Sequence, residues 1–85
     1  AVGYLRRVRL AKAVTDSFRP IEIFERDSWA CGICARPVDR SRCAPDPLSA
    51  SVDHIVPVSL GGDHTRANVR LAHLRCNIRR GNRVV

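Results

Sequence analysis

Two short cysteine and histidine couples, Cys31-x-x-Cys34 and His73-x-x-Cys76, stand 38 residues apart in a chain of only 85. A structural zinc site takes four nitrogen or sulfur ligands in a tetrahedron, often supplied as two such couples. The gap exceeds the roughly 12 to 20 residues of a simple finger, so the metal has to close a sizeable excursion. Closing a long loop is where a crosslink restricts the unfolded chain most. The chain needs that help. One Trp, one Tyr and two Phe make a thin core, and a domain this short buries little apolar surface per residue. Cys43 competes for a place in the set, either by replacing His73 in an all-cysteine site or as a free loop thiol. The repeated spacing favours His73. Buried thiols or disulfides without metal are the bland alternative, disfavoured because no secretory feature accompanies the cysteines. Structural Zn²⁺ on Cys31, Cys34, His73 and Cys76 is therefore the expectation.

The formal charge is +7, and fourteen of the fifteen basic residues are Arg. Such a balance draws the chain to a polyanion, and Arg suits two-pronged phosphate contacts. From Arg66 onward there are six Arg and no acidic residue. Solubility alone leaves that asymmetry unexplained, although a GC-rich genome would also favour Arg over Lys. No apolar run approaches the roughly 18 residues of a membrane span, and no signal-peptide core is visible. The expected setting is cytoplasmic, without membrane attachment.

Along the chain, residues 4–18 read as a helix, with Leu10, Val14 and Phe18 at i, i+4 and i+8 and Arg6, Arg7, Arg9 and Lys12 elsewhere on its surface. Pro20 should end it, giving an N-terminal basic helix within residues 1–20. IEIFERDSW fits a strand or a short helix, and the helix is preferred. CGICARPVD reads as a metal knuckle with a short extended piece, and 40–51 as a loop. SVDHIVPV is β-branched and reads as a strand broken at Pro57. Gly61-Gly62 mark a turn, and ANVRLA is a second strand. A last helix runs from about Leu74 to Arg80, closed by Gly81, with Leu71, Leu74 and Ile78 as its apolar stripe. Its cationic side, with Arg75, Arg79 and Arg80 and then Arg83 beyond, is the expected nucleic-acid contact.

The run DHIVPVSLGG followed by NVRLAHLRCNIRRGN resembles the HNH endonuclease family, and IFERDSWACGICARPVD resembles the segment leading into its zinc-containing members. The likeness covers roughly residues 21 to 83 and leaves the N-terminal helix outside. It implies a small α+β fold, the ββα-metal (His-Me finger) motif with a structural zinc site, over a nuclease domain at 21–85. It further implies hydrolysis of DNA to 5′-phosphate and 3′-hydroxyl ends with a catalytic Mg²⁺ or Mn²⁺.

Residue by residue, the resemblance makes Asp53 a ligand of the catalytic cation and His54 the general base. Asn68 becomes the brace that holds the loop and orients the histidine, and Asn77 the second cation ligand. Many members carry His at that last position, so the chain is an H-N-N variant. An amide oxygen favours a hard cation. A neutral imidazole, with an ordinary pKa of about 6.5, suits proton abstraction near pH 7. One tension is built in: adjacent strand residues point to opposite faces, yet Asp53 and His54 must serve one phosphate. His64, in a Gly-Gly-Asp turn, reads as solvated loop, and Trp29 and Phe24 as packing beside the zinc. With one active site the chain should nick as a monomer, so double-strand cutting calls for a homodimer or a larger host complex. Such modules point to a bacterial or phage-encoded protein. The other reading is a non-catalytic zinc-stabilised module that binds nucleic acid through its arginines.

Overall fold

A computed structural model describes residues 14–81. Its first helix, α1, is Pro20–Arg26. Pro20 occupies the first turn, where its missing N–H costs nothing and its fixed φ suits the helix. The Glu22 carboxylate accepts the Arg19 backbone N–H at 3.2 Å, satisfying one open donor of the N-terminus. Ile23 is fully buried beneath it. The preferred reading of IEIFERDSW as helical is borne out over Ile21–Arg26.

Pro20 thus opens a helix instead of ending one. Residues 14–18 are extended, contrary to the expected helix over 4–18, and the rest of that helix falls outside the described residues. The reason is a better offer for the backbone. Thr15 bridges His64 in parallel, Val14 N–H donates to the Asp63 carboxylate at 3.1 Å, and the Asp16 carboxylate accepts the Arg66 N–H at 2.9 Å. Short acidic side chains of this kind compete with helix formation by capturing backbone groups.

The knuckle follows α1. Cys31 N–H donates to Arg36 O at 2.9 Å and Val38 N–H to Trp29 O at 2.8 Å, and Ala30 bridges Pro37. Ala35 closes the turn with φ at +68°. Beyond it, strand β1 (Ala50–His54) pairs antiparallel with strand β2 (Val69–His73), in a register that sets Asp53 opposite Arg70 and His54 opposite Val69. The expected strand over SVDHIVPV therefore stops at His54. A 3₁₀ turn, Val58–Leu60, leads to Gly61 at φ +92°. Gly62 is held there by a different constraint: a Cβ on it would stand 1.8 Å from Val56 O, so the loop folds back too closely for any side chain. The last helix, α2 (Leu74–Arg80), ends at Gly81 as the sequence predicts.

Arg26 and Asp27 tie α1 to β2. Arg26 donates to Arg66 O at 2.6 Å and Val69 O at 2.7 Å, and the Asp27 carboxylate accepts the Leu71 N–H at 2.8 Å. Burial alone would raise the Asp27 pKa, but Arg26 and the Leu71 N–H hold it below the usual carboxylate value. Among the described residues, Cys31, Val38, Leu71 and Ala72 form a buried cluster, with Phe24, Trp29, Ile33, Ala50 and Cys76 against it, and Ile23 and Val69 are buried as well. Phe24 and Trp29 meet edge to face at 5.5 Å, and the Arg40 guanidinium lies over Trp29. These aromatics pack around the knuckle, as expected.

The expected apolar stripe of α2 fails at one point: Leu71 is fully buried, but Ile78 is 69% exposed. The inward side of α2 is taken instead by Cys76, Asn77 and Arg80, where Arg80 lies four residues after Cys76 and three after Asn77 and so shares a helix face with both. No helix among the described residues is long and apolar enough to cross a membrane.

Candidate functional site

Two sites lie at opposite ends of the strand pair. At one end, the ligand atoms of Cys31, Cys34, His73 and Cys76 all stand within 4.8 Å of one another. Cys31 and Cys34 come from the knuckle, His73 from the last position of β2, and Cys76 from the first turn of α2. His73 Nε2 lies 3.1 Å from Pro37 O. A carbonyl only accepts, so Nε2 carries the proton and Nδ1 is left with a free electron pair. That Nδ1 is the nitrogen 3.4 Å from Cys34 Sγ and 3.8 Å from Cys76 Sγ. An outer carbonyl that fixes the tautomer is the usual support of a metal-binding histidine.

The thiols add a second indication. Burial would raise the Cys31 pKa, but the backbone N–H groups of Cys34, His73 and Ile33 converge on its sulfur, each at 3.4 Å, and bring it below the ordinary thiol value. Burial, with the negative charge of Cys31 behind it, pushes Cys76 up. A crowd of sulfurs in which one ionises at the expense of the next is stabilised by a cation at its centre. The donor set is compatible with structural zinc. Cys43 stands exposed and apart from this cluster, which contains His73.

At the other end, Asp53, His54, Asn77 and Arg80 line one cavity of about 220 Å³ with Pro57, Val58, Ser59 and Gly81. The tension between neighbouring strand residues resolves at the strand terminus. Asp53 lies buried on the cavity floor, while His54 is the last residue of β1, where regular alternation ends. Asp53 is only 1% exposed, and each carboxylate oxygen accepts from a guanidinium at 2.7 Å: Oδ2 from Arg70 Nε, Oδ1 from Arg80 Nη1. Pairing on both sides compensates the burial of the charge.

Arg80 also donates to the His54 and Ile55 carbonyls and is 4% exposed. This corrects its expected place on the outward cationic side of α2, because its guanidinium is drawn inward by Asp53 and the end of β1. Arg75 and Arg79 are exposed on α2, as expected; Arg83 lies outside the described residues.

Asn77 Nδ2 donates to Ser51 Oγ and Val52 O, both at 3.2 Å. This commits the nitrogen to β1. Asn68 acts on the loop. Its Oδ1 accepts the Val56 N–H at 3.0 Å, and its Nδ2 donates to Val56 O at 3.1 Å and Asp63 O at 2.7 Å. Its backbone O also takes the Ile55 N–H at 2.8 Å. The bracing geometry is there, but Asn68 does not touch the His54 ring.

The group that does is His64, with His54 Nε2 and His64 Nδ1 3.0 Å apart. The expectation of a solvated loop histidine was wrong, and nothing in a Gly-Gly-Asp-His turn signals the contact. Arg70 was also missed, although the register opposite Asp53 would have exposed it. His54 titrates below the ordinary histidine value, first because burial disfavours its charge and then because His64 stands close, with Asp53 pulling weakly the other way.

Among known proteins, the HNH endonuclease family model matches residues 31–83. Comparison with curated proteins and with solved structures gives no match. The matched stretch spans more than half of the chain, takes in both ends of the strand pair, and contains all four clustered Cys and His ligands together with Asp53, His54, Asn68 and Asn77. On this ground the chain belongs to the HNH endonuclease family.

Proposed function

We propose that the chain is a divalent-metal-dependent DNA endonuclease that leaves 5′-phosphate and 3′-hydroxyl ends and nicks one strand as a single copy. The observation that carries this reading is the meeting of a carboxylate, a neutral imidazole and an amide oxygen around one cavity, from residues 53, 54 and 77. Asp53 and Asn77 are the oxygen donors for Mg²⁺ or Mn²⁺, a set that suits a hard cation. Each Asp53 oxygen has already accepted once and keeps a second acceptor site, so the donor set fits a cation held weakly. When bound, that cation supplies charge for the developing phosphorane and the leaving oxygen.

The protein's own groups do the rest. His54, kept neutral by burial, takes the proton from the attacking water. Asn68 fixes the loop that follows His54, so the imidazole meets the phosphate without reorganisation. Arg75, Arg79 and Arg83 serve the DNA backbone, where Arg gives two-pronged contacts. Arg80 serves inside, holding Asp53 and the end of β1.

The test is plasmid nicking with Mg²⁺, Mn²⁺ or EDTA. Wild type should nick with either cation and stop with EDTA, and His54→Ala should slow the reaction by about 10² to 10⁴ with zinc content and DNA affinity unchanged. Equal cutting by His54→Ala refutes the base assignment. A second reading draws on the double arginine grip on Asp53: a zinc module that binds nucleic acid and does not cut. It predicts salt-sensitive DNA binding with no nicking under any cation.

A further inference from the structure

We propose that His64 is a positioning residue for His54. Its Nδ1 accepts the His54 Nε2–H, leaving His54 Nδ1 as the nitrogen with a free electron pair, and the extended segment Val14–Phe18 holds His64 in place. This rests on the reading of His54 as the base. It reaches beyond the family match, since the segment that does the holding lies before residue 31.

The contact is built from several directions. His64 N–H donates to Val14 O at 3.0 Å, and His64 O accepts from Asp16 N–H at 2.8 Å, so both backbone groups of the residue are taken by the segment. Phe18 stacks on the His64 ring with centroids 4.7 Å apart and planes at 25°. The neighbours are fastened as well: Asp63 accepts the Val14 N–H, and Arg66 donates through its backbone to Asp16 and through its side chain to Ser17 O. On the inner side, Asn68 Nδ2 holds Asp63 O. The His64 ring is therefore fixed by backbone, by a stacked ring and by its neighbours' anchors, and its Nδ1 stands 3.0 Å from His54 Nε2.

A base histidine is useful only in the tautomer that presents its free electron pair to the water. That tautomer is set by what the other nitrogen bonds. At the zinc end, Pro37 O performs this service for His73. At the cavity, Asn68 reaches His54 only through the loop, and the His64 imidazole stands where an acceptor is required. It is an acceptor at Nδ1 whenever its own proton is on Nε2.

The experiment uses the zinc-loaded chain and two variants. His64→Ala removes the acceptor, and His64→Asn restores an amide oxygen close to the position of Nδ1. Imidazole ¹⁵N spectra, recorded without DNA, read the His54 tautomer, and Mg²⁺-dependent nicking reads kcat and KM. Wild type should show His54 protonated on Nε2 alone. His64→Ala should give a mixture of tautomers and a kcat lower by about 10- to 100-fold with KM for DNA unchanged, and His64→Asn should recover most of both. Phe18→Ala, which keeps His64 but removes its stacked ring, should shift both in the same direction by less. His54 remaining on one tautomer in His64→Ala overturns the proposal, as does an equal loss in the Ala and Asn variants. The spectra need no catalysis, so an active His54→Ala would sink the base assignment while the tautomer still decides the role of His64.

Discussion

The two ends of the strand pair solve the same problem with different materials. At the zinc end, a histidine is held in one tautomer by a backbone carbonyl, Pro37 O, and clusters with Cys31, Cys34 and Cys76. At the cavity end, a histidine meets another side chain, His64, which is itself held by residues about fifty positions away in sequence. The first arrangement joins two close-spaced couples across 38 residues in a donor set compatible with zinc. The second is a chain of contacts among a strand end, a returning loop, a helix and an upstream segment. Stability should therefore be concentrated at the zinc end, and sensitivity to small displacements at the cavity.

Removing the zinc should break that division most completely. Metal binding in a small zinc domain is folding free energy, on the order of 10 kcal/mol, and the core here consists of a few buried side chains around Cys31. A strong zinc chelator should abolish the folded signal in circular dichroism, and Cys34→Ser should do the same. Dialysing away Mg²⁺ should leave that signal intact. A chelated chain that keeps a cooperative thermal transition would show that the core stands without its staple.

Gly62→Ala attacks the other end. The new methyl would stand 1.8 Å from Val56 O and 2.6 Å from its carbon, both backbone, so the loop from Val56 to Asn68 has to move. A clash of this kind costs about 3 kcal/mol, measurable by urea denaturation. Nicking should fall further than stability, because Asn68, Asp63 and His64 shift together while the Cys and His cluster keeps its metal. Loss of zinc at the same rate as loss of activity would mean that the two ends are not separable.

The zinc end was legible because its information is carried by spacing. Two x-x couples and a repeated residue type pick out the four clustered residues without any knowledge of the fold, and Gly81 marks the end of α2 in the same local way. Asp53, His54, Asn68 and Asn77 could be picked out only by family resemblance, and what surrounds them could not be read. The inward turn of Arg80 depends on the helix phase against β1, which a seven-residue helix does not fix by periodicity. The exposure of Ile78 is the other face of the same fact. Residues 14–18 carry a helical pattern, yet the side chains of Asp16 and Asp63 bind backbone N–H groups across the contact. No pattern within fifteen residues can announce a partner near position 64.

Arg70→Ala sharpens the contrast from within the cavity. It removes one of the two guanidinium groups on Asp53 and leaves Arg80 to hold Oδ1. A cation close to a metal ligand lowers affinity for the metal, so its loss should tighten Mn²⁺ binding by about tenfold, equivalent to about 1.4 kcal/mol. Titration followed by manganese relaxation would measure it. Zinc content should be unaffected, since Arg70 packs beside Gly32 but is not among the clustered Cys and His groups. Weaker Mn²⁺ binding in the variant would mean that Arg70 positions the carboxylate more than it opposes the ion.

The smallest effect belongs to the knuckle and tests whether the zinc end has strain to release. Ala35 sits at φ +68° directly after Cys34, in the left-handed region where a Cβ crowds the backbone at a cost of roughly 1–2 kcal/mol. Ala35→Gly removes that cost and adds back the entropy of a freer unfolded chain, about 0.4–1 kcal/mol, for a net gain of about 0.5 kcal/mol in the zinc-loaded form. Nicking should not change, because Ala35 is exposed on the knuckle and does not line the cavity. A destabilised variant would mean that the knuckle turn is dictated by the metal and by the Cys31 sulfur, which accepts the Ile33 and Cys34 N–H groups, so strongly that the residue at position 35 carries no strain to relieve.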